Sequence, residues 1–423
     1  TTRAETGRVK AYAGLAQKGL LERPDGFGNT AALVWKTKEG EIRALLPETE
    51  EIPKDLSIFQ VDITGETLIG YDEYIHIMEQ LKRVPGISVS CVARSWLGRK
   101  IYAIELLPSG EGYVSRTRRL SAYPSEIINT RHHANEVSGT TAMFLLLKKL
   151  LSEKKYEGLA DRMNLVMVPM ENPDGAAIHY ELQKEHPFWK FHVARFSAVG
   201  KEFSREYFKK DTIHREAMAV TRLFYRYLPD IFVDNHGVPS HEWEQQFSGY
   251  TSPSYKGFWL PRSLLYGYFW YVTEEEYRSN YVLNKEMEDR IADKIAEDAE
   301  MTWWNRTWAA QFEKYAHGWM PKLFPADYYK DMINYWIPFQ RTEGHHYSAV
   351  SFPWITSVSY TSEVADETAQ GSYLKLCADA HVAHDEAAIE MLSGADLVLD
   401  WKEDISGDQI SVHCIRQRPV IAG

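Results

Sequence analysis

Cysteine is scarce in this chain of 423 residues, which contains only Cys91, Cys377 and Cys414 and no C-x-x-C motif. An odd number of widely separated cysteines argues against a disulfide framework and against a thiolate zinc site. Any bound metal therefore has to be held by histidine and carboxylate side chains. Long hydrophobic runs are also absent, since none approaches the roughly 18 residues of a membrane-spanning helix. The sequence predicts no membrane span.

Basic residues are fewer than acidic residues in this chain. Lysine and arginine number 48 against 59 aspartates and glutamates, which gives a net charge of −11. A nucleic-acid-binding protein needs a basic face that replaces phosphate counterions, so this balance argues against such a partner. A local basic pocket for one anionic group stays compatible with it. The opening stretch TTRAETG shows no initiating Met and no signal-peptide pattern. The compartment, cytoplasmic or secreted, and the oligomeric state therefore stay open.

Three regions are predicted along the chain. Residues 1–65 contain short β-like runs separated by turn residues and form a small β-rich N-terminal segment. In residues 66–395, buried apolar runs such as NLVMVPM and DIFVD alternate with helical patterns, which is typical of an α/β domain. This domain includes an aromatic-rich insertion at 238–340, expected to pack on the main core or alternatively to form a wall of a cleft. Residues 396–423 are a C-terminal tail.

Several elements are predicted from periodicity. Apolar residues on one helical face predict a helix in YDEYIHIMEQL, and two strand-like runs around WLGR predict a hairpin. The run SIFQVDI is predicted as a strand. Asn284 is a plausible N-cap of a helix, and Gly394 suits the C-cap of a long helix from Ser372. In that last helix, His381 and His384 are predicted to lie on a solvated face.

Two His-x-x-Glu pairs are candidates for a metal site, His133/Glu136 and His241/Glu244. A hydrolytic zinc site uses three protein ligands and one open position for water. The pattern alone does not distinguish the pairs, but its context does. His133/Glu136 follows the buried run EIIN and precedes a long apolar helix, which places it at the carboxyl end of a strand, where open α/β sheets bind ligands. His241/Glu244 lies in a polar stretch.

A third ligand is expected from another strand end, and His236 in DIFVDNHG has this position. Asp234 could orient its imidazole, because ligand histidines usually donate their second N–H to a carboxylate or carbonyl. Glu363 closes a third apolar run and is a candidate general base, although an ordinary edge-strand carboxylate is an alternative. His132 has the wrong spacing for a ligand and is interpreted as lying behind the ligands or exposed.

Taken in order, these pieces resemble the zinc carboxypeptidase family, the carboxypeptidase A-like metallopeptidases. The pieces are HANE at 133–136, NPDG at 172–175, DNH at 234–236 and TSE at 361–363, preceded by the hairpin SWLGR. The resemblance covers about residues 70–395. It implies a three-layer α/β/α sandwich around a mixed, mostly parallel eight-stranded sheet, with the β appendage in front.

The resemblance also implies roles for individual residues. His133, Glu136 and His236 match the ligands of one Zn²⁺ per chain, and Glu363 matches the general base. The stretch RFSAVGKEFSR is similar to the family's arginine motif. It assigns Arg195 to the oxyanion and Arg205 to the terminal carboxylate of the substrate, and the fixed charge and planar fork of arginine suit both roles.

Some positions depart from the family pattern. Ser204 stands where Asn is usual, and Asn135 stands where Arg is frequent. Both positions concern recognition of the substrate's C-terminus. Tyr347 is the candidate for the family's mobile tyrosine, with a packed aromatic as the alternative. His345 and His346 beside it are candidates for substrate contact.

The predicted function is that of a zinc-dependent metallocarboxypeptidase, which hydrolyses a C-terminal peptide bond by a metal-activated water with Glu363 as general base. Its partner would be a peptide or peptide-like substrate with a terminal carboxylate. A zinc amidase acting on peptidoglycan stem peptides or small acyl-amino acids is an alternative, favoured by Asn135 and Ser204. A non-catalytic module that binds a glycan or peptide is a second alternative.

Overall fold

The computed structural model describes residues 32–37, 40–45, 52–108, 122–189, 192–238, 264–315, 327–406 and 409–418. The chain divides into two compact units, Thr1–Asp55 and Leu56–Gly423, whereas the sequence placed the boundary near residue 65. In the first unit, the described residues form an antiparallel hairpin of two strands, β1 (Ala32–Thr37) and β2 (Gly40–Leu45).

The second unit is organised around one nine-stranded sheet. Its strands are β3 (Ile87–Arg94), β4 (Lys100–Leu106), β5 (Ser125–Thr130), β6 (Asn164–Val168), β7 (Ile231–Val238), β8 (Leu265–Val272), β9 (Asp327–Tyr329), β10 (Met332–Phe339) and β11 (Val358–Ala365). They lie in the order β3-β4-β6-β5-β7-β11-β8-β10-β9. A separate antiparallel hairpin, β12 (Leu399–Ser406) and β13 (Gln409–Arg416), follows near the end of the chain.

Eight α-helices lie in the described part of the chain. They are α1 (Tyr71–Leu81), α2 (Ser138–Ser152), α3 (Pro173–Glu185), α4 (Ala217–Tyr227), α5 (Arg278–Ala296), α6 (Ala299–Tyr315), α7 (Ser348–Ser351) and α8 (Gly371–Ser393). None of the described helices is both long enough and apolar enough to cross a membrane.

The four central strands, β6, β5, β7 and β11, are mutually parallel. β5 and β6 are buried along their whole length, as expected for strands covered on both faces. The antiparallel neighbours β4 and β8 make the sheet mixed. The α/β class and mixed sheet implied by the sequence are therefore confirmed. The described sheet has nine strands instead of eight, because the three-residue β9 pairs with β10 at the edge.

Helices cover both faces of the sheet. One core contains apolar side chains of α1, α2, α5 and α8 together with Ile231 and Val233 of β7. The other core contains Val220 and Leu223 of α4 together with Phe232 of β7. Because successive residues of a strand point to opposite faces, Asp234 and His236 lie on the face that carries α4, and Asn235 lies on the other.

Local patterns predicted many element positions. α1, the hairpin of β3 and β4, and the Gly394 C-cap of α8 are confirmed. Two predictions were wrong. The stretch SIFQVDI contains a short 3₁₀-helix, Ile58–Gln60, with a capping box at Ser57. Asn284 lies inside α5, and its amide donates to the Asn280 and Ser357 carbonyls instead of capping the helix.

The prediction of a solvated face for His381 and His384 was also wrong, because both side chains are fully buried. His381 Nδ1 lies 3.1 Å from His384 Nε2 and 3.2 Å from Ser362 Oγ. Asp385 is buried beside them and accepts a hydrogen bond from Asn235. The α8 face that looks solvated in sequence therefore contacts the sheet on the side away from α4.

The aromatic-rich insertion contributes strands β8, β9 and β10 to the sheet. Some of its described tryptophans pack against the main body: the rings of Trp270 and Tyr347 stack with 3.9 Å between centroids, and those of Trp304 and Tyr373 lie 5.7 Å apart. Trp303 is 56% exposed. Trp243, Trp259, Trp319 and the His241/Glu244 pair lie outside the described residues.

Candidate metal centre and active site

The candidate site lies at the carboxyl edge of the central parallel strands. β5 ends at Thr130, and Arg131 follows with a φ of 56°, a left-handed conformation that turns the chain sharply. Its buried guanidinium donates to the carbonyls of Ala134 at 2.9 Å and Ile69 at 2.7 Å. These two hydrogen bonds fix the short turn that carries His133 and Glu136 and that precedes α2.

The NPDG turn supports the same edge. Asn172 caps α3 by accepting from the Gly175 N–H at 3.0 Å, and its amide donates to the Phe196 carbonyl at 3.1 Å. Asp174 accepts hydrogen bonds from Ser95 Oγ at 2.7 Å and Arg99 Nη1 at 2.8 Å. The turn thereby joins the β3–β4 hairpin to the segment that carries Arg195.

Three predicted ligands converge at this edge. His133 Nδ1 lies 2.6 Å from Glu136 Oε1, and His236 Nδ1 lies 2.9 Å from His133 Nδ1 and 3.0 Å from Glu136 Oε2. All three side chains are buried. Two imidazoles and a carboxylate within this separation form a donor set that zinc prefers.

The hydrogen-bond partners of the two histidines test whether a cation fits here. His133 Nε2 faces Glu202 Oε2 at 2.7 Å, and His236 Nε2 faces Asp234 Oδ2 at 2.9 Å. Each Nε2 atom therefore has a carboxylate partner outside the cluster, which suits an Nε2–H tautomer with Nδ1 as the metal-binding atom. The two Nδ1 atoms face each other and the oxygens of Glu136, an arrangement into which a cation fits.

The acid–base properties of the ligands agree with this reading. Although burial opposes it, Asp234 and Glu136 raise the pKa of His236 well above its usual value. Burial alone would raise the pKa of Glu136, but His133 and His236 together lower it below its usual value. The site therefore attracts positive charge, and the residues present fit a zinc ion.

Glu363 lies on β11 directly beside the third ligand, because it pairs in register with His236 of β7. The two side chains project from the same face of the sheet, and Glu363 is partly exposed. Arg195 also lies beside the cluster, with Nη1 3.5 Å from Glu136 Oε1 and Nε 4.0 Å from Glu202 Oε2. Glu363 and Arg195 are thus neighbours of the predicted ligands, the first by strand register and the second by direct contact.

A small cleft with a volume of about 20 Å³ lies beside Asp234, the hydrogen-bond partner of His236. Ser204, Asp234, Tyr347 and Thr361 line it, together with His346. The cleft thus lies between the sheet and the 204–208 segment, one residue beyond the converging side chains.

Arg205 is exposed near this cleft and forms no ion pair with the described residues. Burial, His345 and Arg205 together lower the pKa of His346 to about 4, so His346 is neutral near pH 7. Asn135 is fully buried, and neither of its amide atoms has a hydrogen-bond partner among the described residues. A direct contact between Asn135 and a substrate would therefore require the side chain to move.

Asp366 was missed at the sequence level, although it lies three residues after Glu363. Its Oδ2 accepts hydrogen bonds from both the backbone N–H and the hydroxyl of Ser138, each at 2.6 Å, and so caps α2 directly after the ligand turn. Its backbone N–H donates to the Val238 carbonyl at 2.9 Å. Asp366 thereby joins the three segments that carry the ligands and Glu363.

Asp366 also predicts a pH dependence of stability. Burial raises its pKa from 3.8 to about 7, so the folded state retains a proton that the unfolded state releases. The free energy of unfolding should therefore fall as the pH rises from about 4 to about 7, by on the order of 4 kcal/mol. Asp366→Asn cannot ionise. Urea unfolding of both proteins between pH 4.5 and 8 should show the wild type losing stability relative to the variant, and a constant difference would contradict the prediction.

Other partners of the site were also not recognised from the sequence as a set. They are Asn129, Glu171, Glu202 and Tyr207. The positions of Asn129 and Glu171 at strand ends gave a weak signal, because such residues are also common in ordinary turns. Only the fold shows that they meet behind the ligands.

The comparisons with known proteins agree with this geometry. A family model described as zinc carboxypeptidase matches residues 74–313, more than half of the chain. The match contains His133, Glu136 and His236, whereas Glu363 lies beyond it. No curated protein matches the chain.

Three solved structures illustrate the similarity. Carboxypeptidase A from Helicoverpa armigera is 12% identical, with 92% of this chain and 95% of that chain covered and a TM-score of 0.47. A metallo-carboxypeptidase from Pseudomonas aeruginosa in complex with (2-guanidinoethylmercapto)succinic acid is 13% identical, with coverage of 86% and 77% and a TM-score of 0.46. A metallo-carboxypeptidase from Burkholderia cenocepacia is 15% identical, with coverage of 75% and 69% and a TM-score of 0.45. By the match of the family model, this chain belongs to the zinc carboxypeptidase family and is a zinc metallopeptidase.

Proposed function

We propose that the protein is a carboxypeptidase that binds one zinc ion through His133, Glu136 and His236 and hydrolyses the C-terminal peptide bond of its substrate. The observation that carries this proposal is the convergence of two imidazole Nδ1 atoms and a carboxylate next to the strand position of Glu363. An exposed arginine next to the adjoining cleft, Arg205, supports action at a chain end.

The roles of the side chains follow from their positions. Zinc, when bound, supplies a Lewis acid that acidifies water and polarises a carbonyl. Glu363 accepts the proton of the attacking water and transfers it to the leaving amine. Arg195 donates hydrogen bonds to the oxygen on which negative charge develops, since its guanidinium lies 3.5 Å from Glu136 and is partly exposed.

Arg205 is assigned to the terminal carboxylate of the substrate. It has no intramolecular carboxylate partner among the described residues, and its charge is close enough to His346 to lower the pKa of that imidazole. Ser204 and Tyr347 line the same cleft and are proposed to contact the terminal residue. This arrangement selects substrates with a free terminal anion, because only they can pair with the arginine.

The test compares peptides that end in a free carboxylate with the same peptides ending in an amide. For the free acids, Arg205→Gln is expected to lower kcat/KM about 10- to 100-fold, mostly through KM, because one charge-assisted contact is lost. Amidated peptides should be poor substrates of both proteins. Arg222→Gln, which removes an exposed charge on α4, is the matched control and should leave the kinetic constants unchanged.

The amidase alternative is an outcome of the same experiment. If peptidoglycan stem peptides or acyl-amino acids are cleaved faster than free-acid peptides, and Arg205→Gln has no effect on either, the carboxypeptidase proposal is wrong and the amidase is favoured. Absence of hydrolysis with all substrates in the zinc-loaded protein would overturn both.

A further inference from the structure

A buried polar network lies behind the two ligand histidines, on the side away from the metal position. Its members are joined by the following contacts: His236 Nε2 to Asp234 Oδ2 at 2.9 Å, Asp234 Oδ1 to Asn129 Nδ2 at 3.0 Å, Asn129 Nδ2 to Glu171 Oε2 at 2.7 Å, Glu171 Oε2 to His132 Nδ1 at 3.0 Å, His132 Nε2 to Glu202 Oε1 at 2.5 Å, and Glu202 Oε2 to His133 Nε2 at 2.7 Å. We call this set the ligand ring, because it starts at one ligand histidine and ends at the other.

His132 bridges the carboxylates of Glu171 and Glu202 in the ligand ring, as Asn129 bridges those of Asp234 and Glu171. It is 1% exposed, and each of its ring nitrogens faces a carboxylate oxygen. His132 can donate to both carboxylates only when both ring nitrogens carry protons, that is, as an imidazolium. A neutral imidazole has one N–H and could donate to only one of the two.

The surroundings hold His132 in this orientation. Its ring packs on Phe203 with 4.2 Å between centroids. The Tyr207 hydroxyl donates to Glu171 at 2.7 Å, and the Ser204 N–H donates to Glu202 at 3.0 Å. Both carboxylates are thus fixed on their outer sides, and His132 determines the distance between them.

The charges around the site explain why a cation is required here. Glu136, Glu171, Glu202 and Asp234 place four carboxylates around the two ligand imidazoles. Burying this many carboxylates without nearby cations is unfavourable.

We infer that His132 is a positioning residue of the metal centre: it bridges Glu171 and Glu202 and thereby holds the Nε2–H of His133 on Glu202, which leaves Nδ1 free to bind zinc. The inference rests on His133 being a ligand, as proposed above. The zinc content of the unmodified protein tests that assumption separately, since it depends on no variant.

The experiment measures the zinc dissociation constant by chelator competition in wild type, His132→Gln, Glu171→Gln and the double variant. His132→Gln should weaken zinc binding about 10- to 100-fold, the usual effect of losing a partner of a metal-bound histidine. In the double variant, the side-chain NH₂ group at position 171 can donate a hydrogen bond to the side-chain carbonyl oxygen at position 132. The side-chain NH₂ group at position 132 is then free to donate to Glu202, so the bridge is restored without a charge. The zinc affinity of the double variant should therefore lie closer to wild type than that of His132→Gln.

The matched control is His384→Gln, the same substitution at an equally buried histidine on the opposite face of the sheet. It should reduce stability without changing zinc affinity, and the visible spectrum of the Co²⁺ form should shift for His132→Gln but not for His384→Gln. Equal zinc affinities of wild type and His132→Gln would overturn the inference. If His132→Gln does not fold, the double variant decides: an affinity within tenfold of wild type supports the bridge, and a weaker one contradicts it.

Discussion

Replacing Glu363 with Gln is expected to lower kcat/KM by about 10³-fold while the protein still binds one zinc per chain. Gln has nearly the shape of Glu but cannot accept the proton of the attacking water. Since Glu363 pairs in register with His236 but is not among the three converging ligand atoms, the metal should stay in place. Steady-state hydrolysis of a free-acid peptide, together with metal analysis of the same preparation, measures both quantities.

The matched control for this substitution is Glu367→Gln, a buried carboxylate four residues further along the chain. It should affect stability more than turnover. If Glu363→Gln loses zinc as well as activity, Glu363 is part of the metal site and its assignment as a base is wrong. If it keeps most of its activity, another group removes the proton.

The second large effect is expected from Gly237→Ala, directly after the third ligand. A Cβ at this position would lie 1.9 Å from Asp366 Oδ1 and 2.7 Å from its Cγ. Asp366 cannot move away without losing both hydrogen bonds to Ser138. Overpacking and loss of the α2 cap together should lower the free energy of unfolding by on the order of 3 kcal/mol. Zinc affinity should fall with it, because His236 and the ligand turn shift.

Denaturant unfolding and zinc titration of Gly237→Ala measure this effect. Gly200→Ala is the control, because no described atom lies within 4 Å of its added Cβ and only its φ of +70° disfavours alanine, at a cost of about 1 kcal/mol. Asp366→Ala removes the colliding oxygens, so Gly237→Ala should cost much less in that background. Additive effects would show that the collision is not the cause.

The sequence predicted the fold wherever local periodicity carried the information. The apolar face of α1 and the alternation of buried strands with helices come from residues close to one another in the chain, and both were found. The His-x-x-Glu turn and His236 could be located because ligand sites occur at the carboxyl ends of parallel strands. The sequence alone therefore predicted part of the candidate site.

What could not be predicted depends on distant partners. The burial of His381 and His384 requires Ser362 and the sheet above α8, and an amphipathic pattern gives no sign of a polar residue that is satisfied in the interior. Asn284 was misread for the same reason, since its acceptor Ser357 is far along the chain. The ligand ring joins residues from the ends of β5, β6 and β7 and from the segment before α4. These residues resemble ordinary turn residues until the strands are placed side by side.

The stacking of Tyr347 on Trp270 has a consequence for turnover. The rings are nearly parallel with 3.9 Å between their centroids, so the position of the phenol at the cleft is set by a tryptophan of the inserted strand β8. Such a stack contributes only about 0.5–1.5 kcal/mol beyond the burial of the rings. Position 270 therefore offers a place where protein engineers can alter the orientation of the phenol without replacing Tyr347 itself.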